Sequence, residues 1–113
     1  MATTTAPVQE ITPKEAESRW GAPPTGLTLL DVREPWEVAT AHVEGSIHMP
    51  MEQVPSRLAE LDPNAAVVVM CHGGMRSLQV AQYLAGQGFA DVYNLSGGID
   101  AWSQDVDSTV PRY

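Results

Sequence analysis

Short apolar runs alternate with helix-forming segments along all 113 residues, and this alternation predicts an α/β domain on a mostly parallel sheet. Two further observations point the same way. Each connection between successive runs is long enough for a crossover. The strongest pair, the β-branched run at residues 66–70 and the amphipathic segment at 77–87, comes strand first and helix second. Five strands with helices on both faces make three layers, and residues 1–113 read as one domain with its core at about 8–104.

Residues 8–11 read as a short edge strand, after a small, polar start at 2–7 that is expected to fray. Thr12-Pro13-Lys14-Glu15 is a helix start: Thr12 caps, Pro13 takes the first helical position and Glu15 closes a capping box. That helix ends near Trp20-Gly21, and two prolines within 22–26 mark a loop. Residues 27–32 form an apolar, partly β-branched run, read as a buried strand. A brief helix covers 34–41, and 46–49 make a small strand that Pro50 stops. A helix is expected over 51–61, with Leu58 and Leu61 three apart and an irregular first turn at Pro55. Residues 66–70 are the clearest strand and 77–87 the clearest helix, whose Leu78, Ala81 and Leu84 share a face and which Gly88 ends. A fifth strand at 91–95 and a short helix at 98–104 follow.

Composition narrows the function. Hydrophobic residues make up 43% and charged residues 18%, the balance of a soluble globular chain. The longest apolar run, 65–71, is far short of the roughly 20 residues that span a bilayer. Residues 1–10 hold no basic residue and no apolar block, so no secretory signal is expected. Six Lys and Arg against fourteen Asp and Glu give a net charge of −8, which argues against nucleic acid or an anionic membrane as partner. A small anionic substrate must be captured by local groups, and screening over about 8 Å makes that practicable. Cys71 is the single cysteine, which rules out an internal disulfide and a multi-cysteine zinc site and suits a reducing, cytoplasmic setting.

In a parallel α/β fold ligands sit beyond the C-terminal ends of the strands, which directs attention to the loops after Val32 and Met70. The second reads Cys71-His72-Gly73-Gly74-Met75-Arg76-Ser77. A thiol at a strand end, ringed by the N–H groups of a glycine-containing turn and a helix N-terminus, occupies an anion-binding concavity. Such a cysteine has a lowered pKa and is largely thiolate near neutral pH. Gly73 and Gly74 permit positive φ and leave room for a ligand. Arg76 adds a permanent charge and Ser77 is placed to cap the next helix. Most free cysteines are small buried apolar residues, but two glycines and an arginine before a helix reverse that preference here.

This loop resembles the active-site loop of rhodanese domains, sulfurtransferases that carry sulfur as a cysteine persulfide. Leu29-Leu30-Asp31-Val32-Arg33-Glu34-Pro35-Trp36-Glu37 is similar to the family's first signature, and Ala41-His42-Val43-Glu44-Gly45-Ser46-Ile47 to the segment after it. Asn94-Leu95-Ser96-Gly97-Gly98-Ile99-Asp100-Ala101-Trp102 is similar to the C-terminal signature. The resemblance runs from Leu27 to Trp102. It implies a rhodanese-like three-layer domain with a parallel five-stranded sheet and a double displacement at Cys71. The thiolate takes the outer sulfur of a donor, thiosulfate or a persulfide, and an acceptor, cyanide or a thiol, a protein thiol included, removes it. No cofactor and no metal are called for.

Within that scheme Cys71 is the nucleophile, and His72, Gly73, Gly74, Met75 and Arg76 form the substrate cradle, with Met75 as an apolar wall. His72 is expected to present its backbone N–H rather than to act as acid or base. Asp31, Arg33 and Ser77 support the loop; for the first two a plain strand-end brace, Arg33 with Glu44, is slightly preferred. Trp36 and Trp102 are read as core or rim packing, and His42 and His48 as structural rather than metal ligands. Related phosphatases place the arginine one position further on, so phosphatase or arsenate-reductase activity ranks below sulfur transfer. A persulfide carrier exchanging sulfur with proteins is the runner-up. Two-domain thiosulfate sulfurtransferases carry Arg where Glu37 stands and Lys near Gly73, which implies that thiosulfate is a poor donor here.

Overall fold

Alternation along the strands decides which helices cover which face of the sheet. The computed structural model describes residues 7–113; apart from Pro7, the fraying expected at residues 2–7 lies outside them. The strands are β1 (Gln9–Ile11), β2 (Thr28–Asp31), β3 (Ile47–His48), β4 (Val67–Met70) and β5 (Val92–Leu95). Four α-helices accompany them: α1 (Pro13–Trp20), α2 (Pro35–Thr40), α3 (Met75–Gly86) and α4 (Gly98–Asp105). All pairings are parallel, in the order β1-β5-β4-β2-β3.

In the central strand β4, Val67 and Val69 point to one face and Val68 and Met70 to the other. The first set joins Leu30, Val32 and Val92 under Val80, Ala81 and Leu84 of α3. The second joins Leu29, Tyr93 and Leu95 against Ala16 of α1 and Ile99 and Trp102 of α4. Burial on both faces explains why β4 and β5 bury every residue and why β4 reads as a continuous apolar run. The same period of two carries Cys71, just past β4, to the α3 face.

The capping box of α1 forms as the sequence dictates: Glu15 N–H donates to Thr12 Oγ1 at 3.2 Å, and Thr12 N–H donates to Glu15 at 2.9 Å. The helix expected over 51–61 does not form. Pro55 has no N–H to give the Met51 carbonyl, which accepts from Val54 instead at 3.3 Å. The segment breaks into 3-10 turns at Met51–Gln53 and Leu58–Glu60, and Val54 and Leu61 still reach the core. Past α4 the chain returns to the sheet, burying Val110 and setting Tyr113 beside the loop after β4.

Candidate active site

Cys71 is 1% exposed and lies at the floor of its loop. Gly74 takes φ 111°, a value glycine tolerates, and its N–H points back at the sulfur at 3.1 Å. That turn starts α3 at Met75, two residues earlier than expected, so Gly74 and not Ser77 is the N-cap. Ser77 sits in the first turn with its hydroxyl oxygen 3.3 Å from Cys71 Sγ. Burial pushes the thiol pKa up, but the Ser77 hydroxyl and the N–H groups of Ser77, Gly74 and Gly73 outweigh it. The net result is a pKa below that of an ordinary cysteine. The N–H of His72 is not among those donors.

The loop is anchored on three sides. From α4, Ile99 N–H donates to the Cys71 carbonyl at 2.9 Å and Asp100 N–H to the His72 carbonyl at 3.2 Å. This close approach requires Gly98, at φ 59°, where a Cβ would collide with both carbonyl oxygens. From β5, Asn94 Nδ2 donates to the Gly74 carbonyl at 3.0 Å. From α2, Glu37 accepts both ends of the Arg76 guanidinium, at 2.7 and 2.9 Å. The Arg76 guanidinium, opposed by burial and helped by Glu34 N–H and the Tyr113 hydroxyl, holds the Glu37 carboxyl at about 2. The Arg76 charge is therefore neutralised at the loop edge, and the arginine ties the loop to α2.

The remaining expected residues fall as follows. Asp31 and Arg33 are fully buried and pair with each other, not with Glu44. All five guanidinium hydrogens of Arg33 are used: two on Asp31 and one each on the Glu37 carbonyl, the Ala41 carbonyl and the Tyr113 hydroxyl. The pair is a brace under α2 and reaches the loop only through Glu37 and Tyr113. The His72 ring stands edge-on to Tyr113 at 4.4 Å between centroids. Met75 is 81% exposed and packs as no wall, and Gly73 is open to solvent. Trp102 is core, whereas Trp36 is 63% exposed and meets Tyr113 edge-on. His48 Nε2 donates to the Arg33 carbonyl at 2.8 Å, and His42 is exposed.

Four residues of the site are not evident from the sequence. Glu37 stands out in the sequence only as the lack of a base, and only a folded chain brings Tyr113 there. Glu10 and Asn94 meet because β1 and β5 pair in register at those two positions. Asn94 did leave a signal: it is a lone amide in an apolar strand.

Comparison with known proteins identifies the family. The family description "Rhodanese-like domain" matches residues 12–105. The chain is 39% identical, over 95% of its length, to "Rhodanese-like/PpiC domain-containing protein 12, chloroplastic" of Arabidopsis thaliana, but it spans only 38% of that protein. It is 33% identical to "Thiosulfate sulfurtransferase GlpE" of Stutzerimonas stutzeri, covering 90% of this chain and 91% of that one. A crystal structure of a rhodanese-like domain protein from Staphylococcus aureus superposes with a TM-score of 0.79 at 27% identity, over 94% of this chain and 99% of that one. With its parallel five-stranded sheet, its cysteine loop and a family match over most of its length, the chain belongs to the rhodanese-like domain family.

Proposed function

We propose that the protein is a sulfurtransferase that takes sulfane sulfur onto Cys71 as a persulfide and passes it to a nucleophilic acceptor. The Cys71 thiolate attacks the outer sulfur of the donor, whose S–S bond breaks. The electron pair leaves with sulfite if the donor is thiosulfate, or with a thiolate if it is a persulfide. The acceptor, cyanide or a thiol, then attacks the outer sulfur, and Cys71 leaves as thiolate. The observation that carries this reading is the sulfur itself, held 3.1 Å from Gly74 N–H and 3.3 Å from the Ser77 hydroxyl in a loop that favours negative charge. Relatives named as sulfurtransferases support it. In this reading the loop residues His72, Gly73, Gly74, Met75 and Arg76 form the cradle, with Met75 open to solvent at its rim. Ser77 holds the sulfur, and Asp31 and Arg33 brace the loop through Glu37 and Tyr113.

Thiosulfate is the weaker donor in this reading. Arg76 spends its charge on Glu37, and the molecule carries a net charge of −8, so a dianion gains little here. A persulfide brings less charge and suits the exposed apolar side chains of Trp36 and Met75. Those two side chains also favour a second reading, a relay to a protein thiol in the cytoplasm. It predicts faster transfer to a protein than to cyanide.

The test is intact mass after incubation with thiosulfate, and separately with a small-molecule persulfide, without acceptor. A gain of one sulfur atom that cyanide reverses is expected, larger with the persulfide and absent in Cys71→Ser. No gain with either donor would overturn the assignment.

A further inference from the structure

Asn94 is a 3%-exposed amide whose hydrogen bonds can be assigned atom by atom. Its Nδ2 lies 3.0 Å from the Gly74 carbonyl oxygen and 3.0 and 3.2 Å from the two Glu10 carboxylate oxygens. All three are acceptors, so the NH2 group faces them and Oδ1 faces the other way. There Ser77 Oγ sits at 2.6 Å. Two oxygens that close need a hydrogen between them, and Asn94 Oδ1 has none to give. The single hydroxyl hydrogen of Ser77 therefore points at Asn94, and Cys71 Sγ, 3.3 Å from the same oxygen, cannot receive it as well. In the thiol form the S–H is left to donate to Ser77 Oγ. A thiolate would face an oxygen lone pair until the hydroxyl turned.

We propose that Asn94, backed by Glu10, is a positioning residue for the nucleophile: it holds the Ser77 hydroxyl hydrogen while Cys71 is a thiol and yields it to the sulfur as negative charge develops there. Ser77 is then an acceptor from S–H in one state and a donor to S⁻ in the other. The proton lost by Cys71 goes to solvent; the Ser77 hydrogen stays on its oxygen and only rotates. The Glu10 charge polarises the amide and strengthens Oδ1 as the competing acceptor. Glu10 is itself held by the Ser96 hydroxyl at 2.7 Å, and the β1–β5 register sets it opposite Asn94. This role rests on Cys71 being the sulfur nucleophile proposed above, where the same rotation would stabilise Cys71 as it leaves the persulfide.

The experiment needs no sulfur transfer, so it fails separately from that reading. Cys71 is the single cysteine, and the pH dependence of its alkylation by iodoacetamide reports its ionisation directly. The titratable and charged groups around the loop are Arg76 of α3 with its partner Glu37 of α2, Glu10 of β1, Asp100 of α4, the Asp31–Arg33 pair at the end of β2, the His72 imidazole in the loop and the Tyr113 phenol of the closing segment. None of them is substituted in a cycle of wild type, Asn94→Ala, Ser77→Ala and the double variant. With Ser77 present, loss of Asn94 frees the hydroxyl for the thiolate. The alkylation midpoint is then expected to fall by about 0.5–1 unit relative to the same substitution made in Ser77→Ala. An identical Asn94→Ala shift in both backgrounds overturns the proposal, because Asn94 would then act only through Gly74 or strand packing. Should a variant fail to fold, the infrared S–H stretch of the wild-type thiol decides instead. A band lowered by hydrogen bonding is expected, and a free S–H band overturns the proposal.

Discussion

Asp31 and Arg33 are both 0% exposed, and their pairing shows how a buried charge is tolerated. Asp31 accepts from the Arg33 backbone N–H, Nε and Nη2, and the other guanidinium hydrogens end on oxygens. No buried side-chain polar atom among the described residues lacks a partner. Asp31→Ala strands a buried guanidinium, and a loss of about 3–5 kcal/mol is expected in urea unfolding. A loss under about 1 kcal/mol would show that water or a rearranged Glu37 replaces the carboxylate. The residue types at this position were legible in the sequence, but the partner was not. Glu44 was as reasonable a partner by spacing as Asp31, and only the turn after β2, which brings Arg33 back over Asp31, chooses between them.

At the scale of elements, the unit that matters is β4, its loop and α3, clamped by the first turn of α4. Gly98 at φ 59° lets the α4 N–H groups reach the loop carbonyls, where any side chain would collide. Gly98→Ala is expected to cost about 2 kcal/mol or more and to slow Cys71 alkylation, because the loop must move. Gly86→Ala is the control. It meets nothing within 4 Å and sits in α3, so a gain of up to about 1 kcal/mol is expected. Equal effects of the two in thermal unfolding would sink the clamp. The strands and the start of α1 were legible because apolar runs and a capping box are local signals. The leucine spacing of 51–61 suits a helix, but the missing proline N–H, which no periodicity reveals, leaves only 3-10 turns.

For the whole molecule, acid is the revealing variable. The Glu37 carboxyl is held at about 2 in the folded protein, against 4.5 for a free one. A depressed carboxylate contributes stability in full above its unfolded pKa and loses it as pH falls through the folded one. The contribution is therefore present at pH 7 and disappears between about pH 4.5 and 2. With Arg76 partly open to water, its size is about 2 kcal/mol. Urea unfolding from pH 7 to 2 is expected to show this loss in wild type and a flatter profile, by the same amount, in Glu37→Gln. Protonation also relieves the −8 charge, which affects both proteins alike. Parallel profiles would mean that Glu37 and Arg76 are not coupled.

The order of strands and helices, the strand buried on both faces and the cysteine at its end followed from the sequence, because each is written in neighbouring residues: alternation, caps, glycines. So did the anion-favouring character of the loop, since a turn's N–H groups point where its glycines allow. Tertiary structure decided the rest. Sheet register set Glu10 beside Asn94, and the turn before α2 set Glu37 against Arg76. The closing segment carried Tyr113 from far along the chain to His72 and Arg33. Those contacts join residues remote in sequence, and only the closed fold, which leaves each buried polar group one set of reachable partners, determines them.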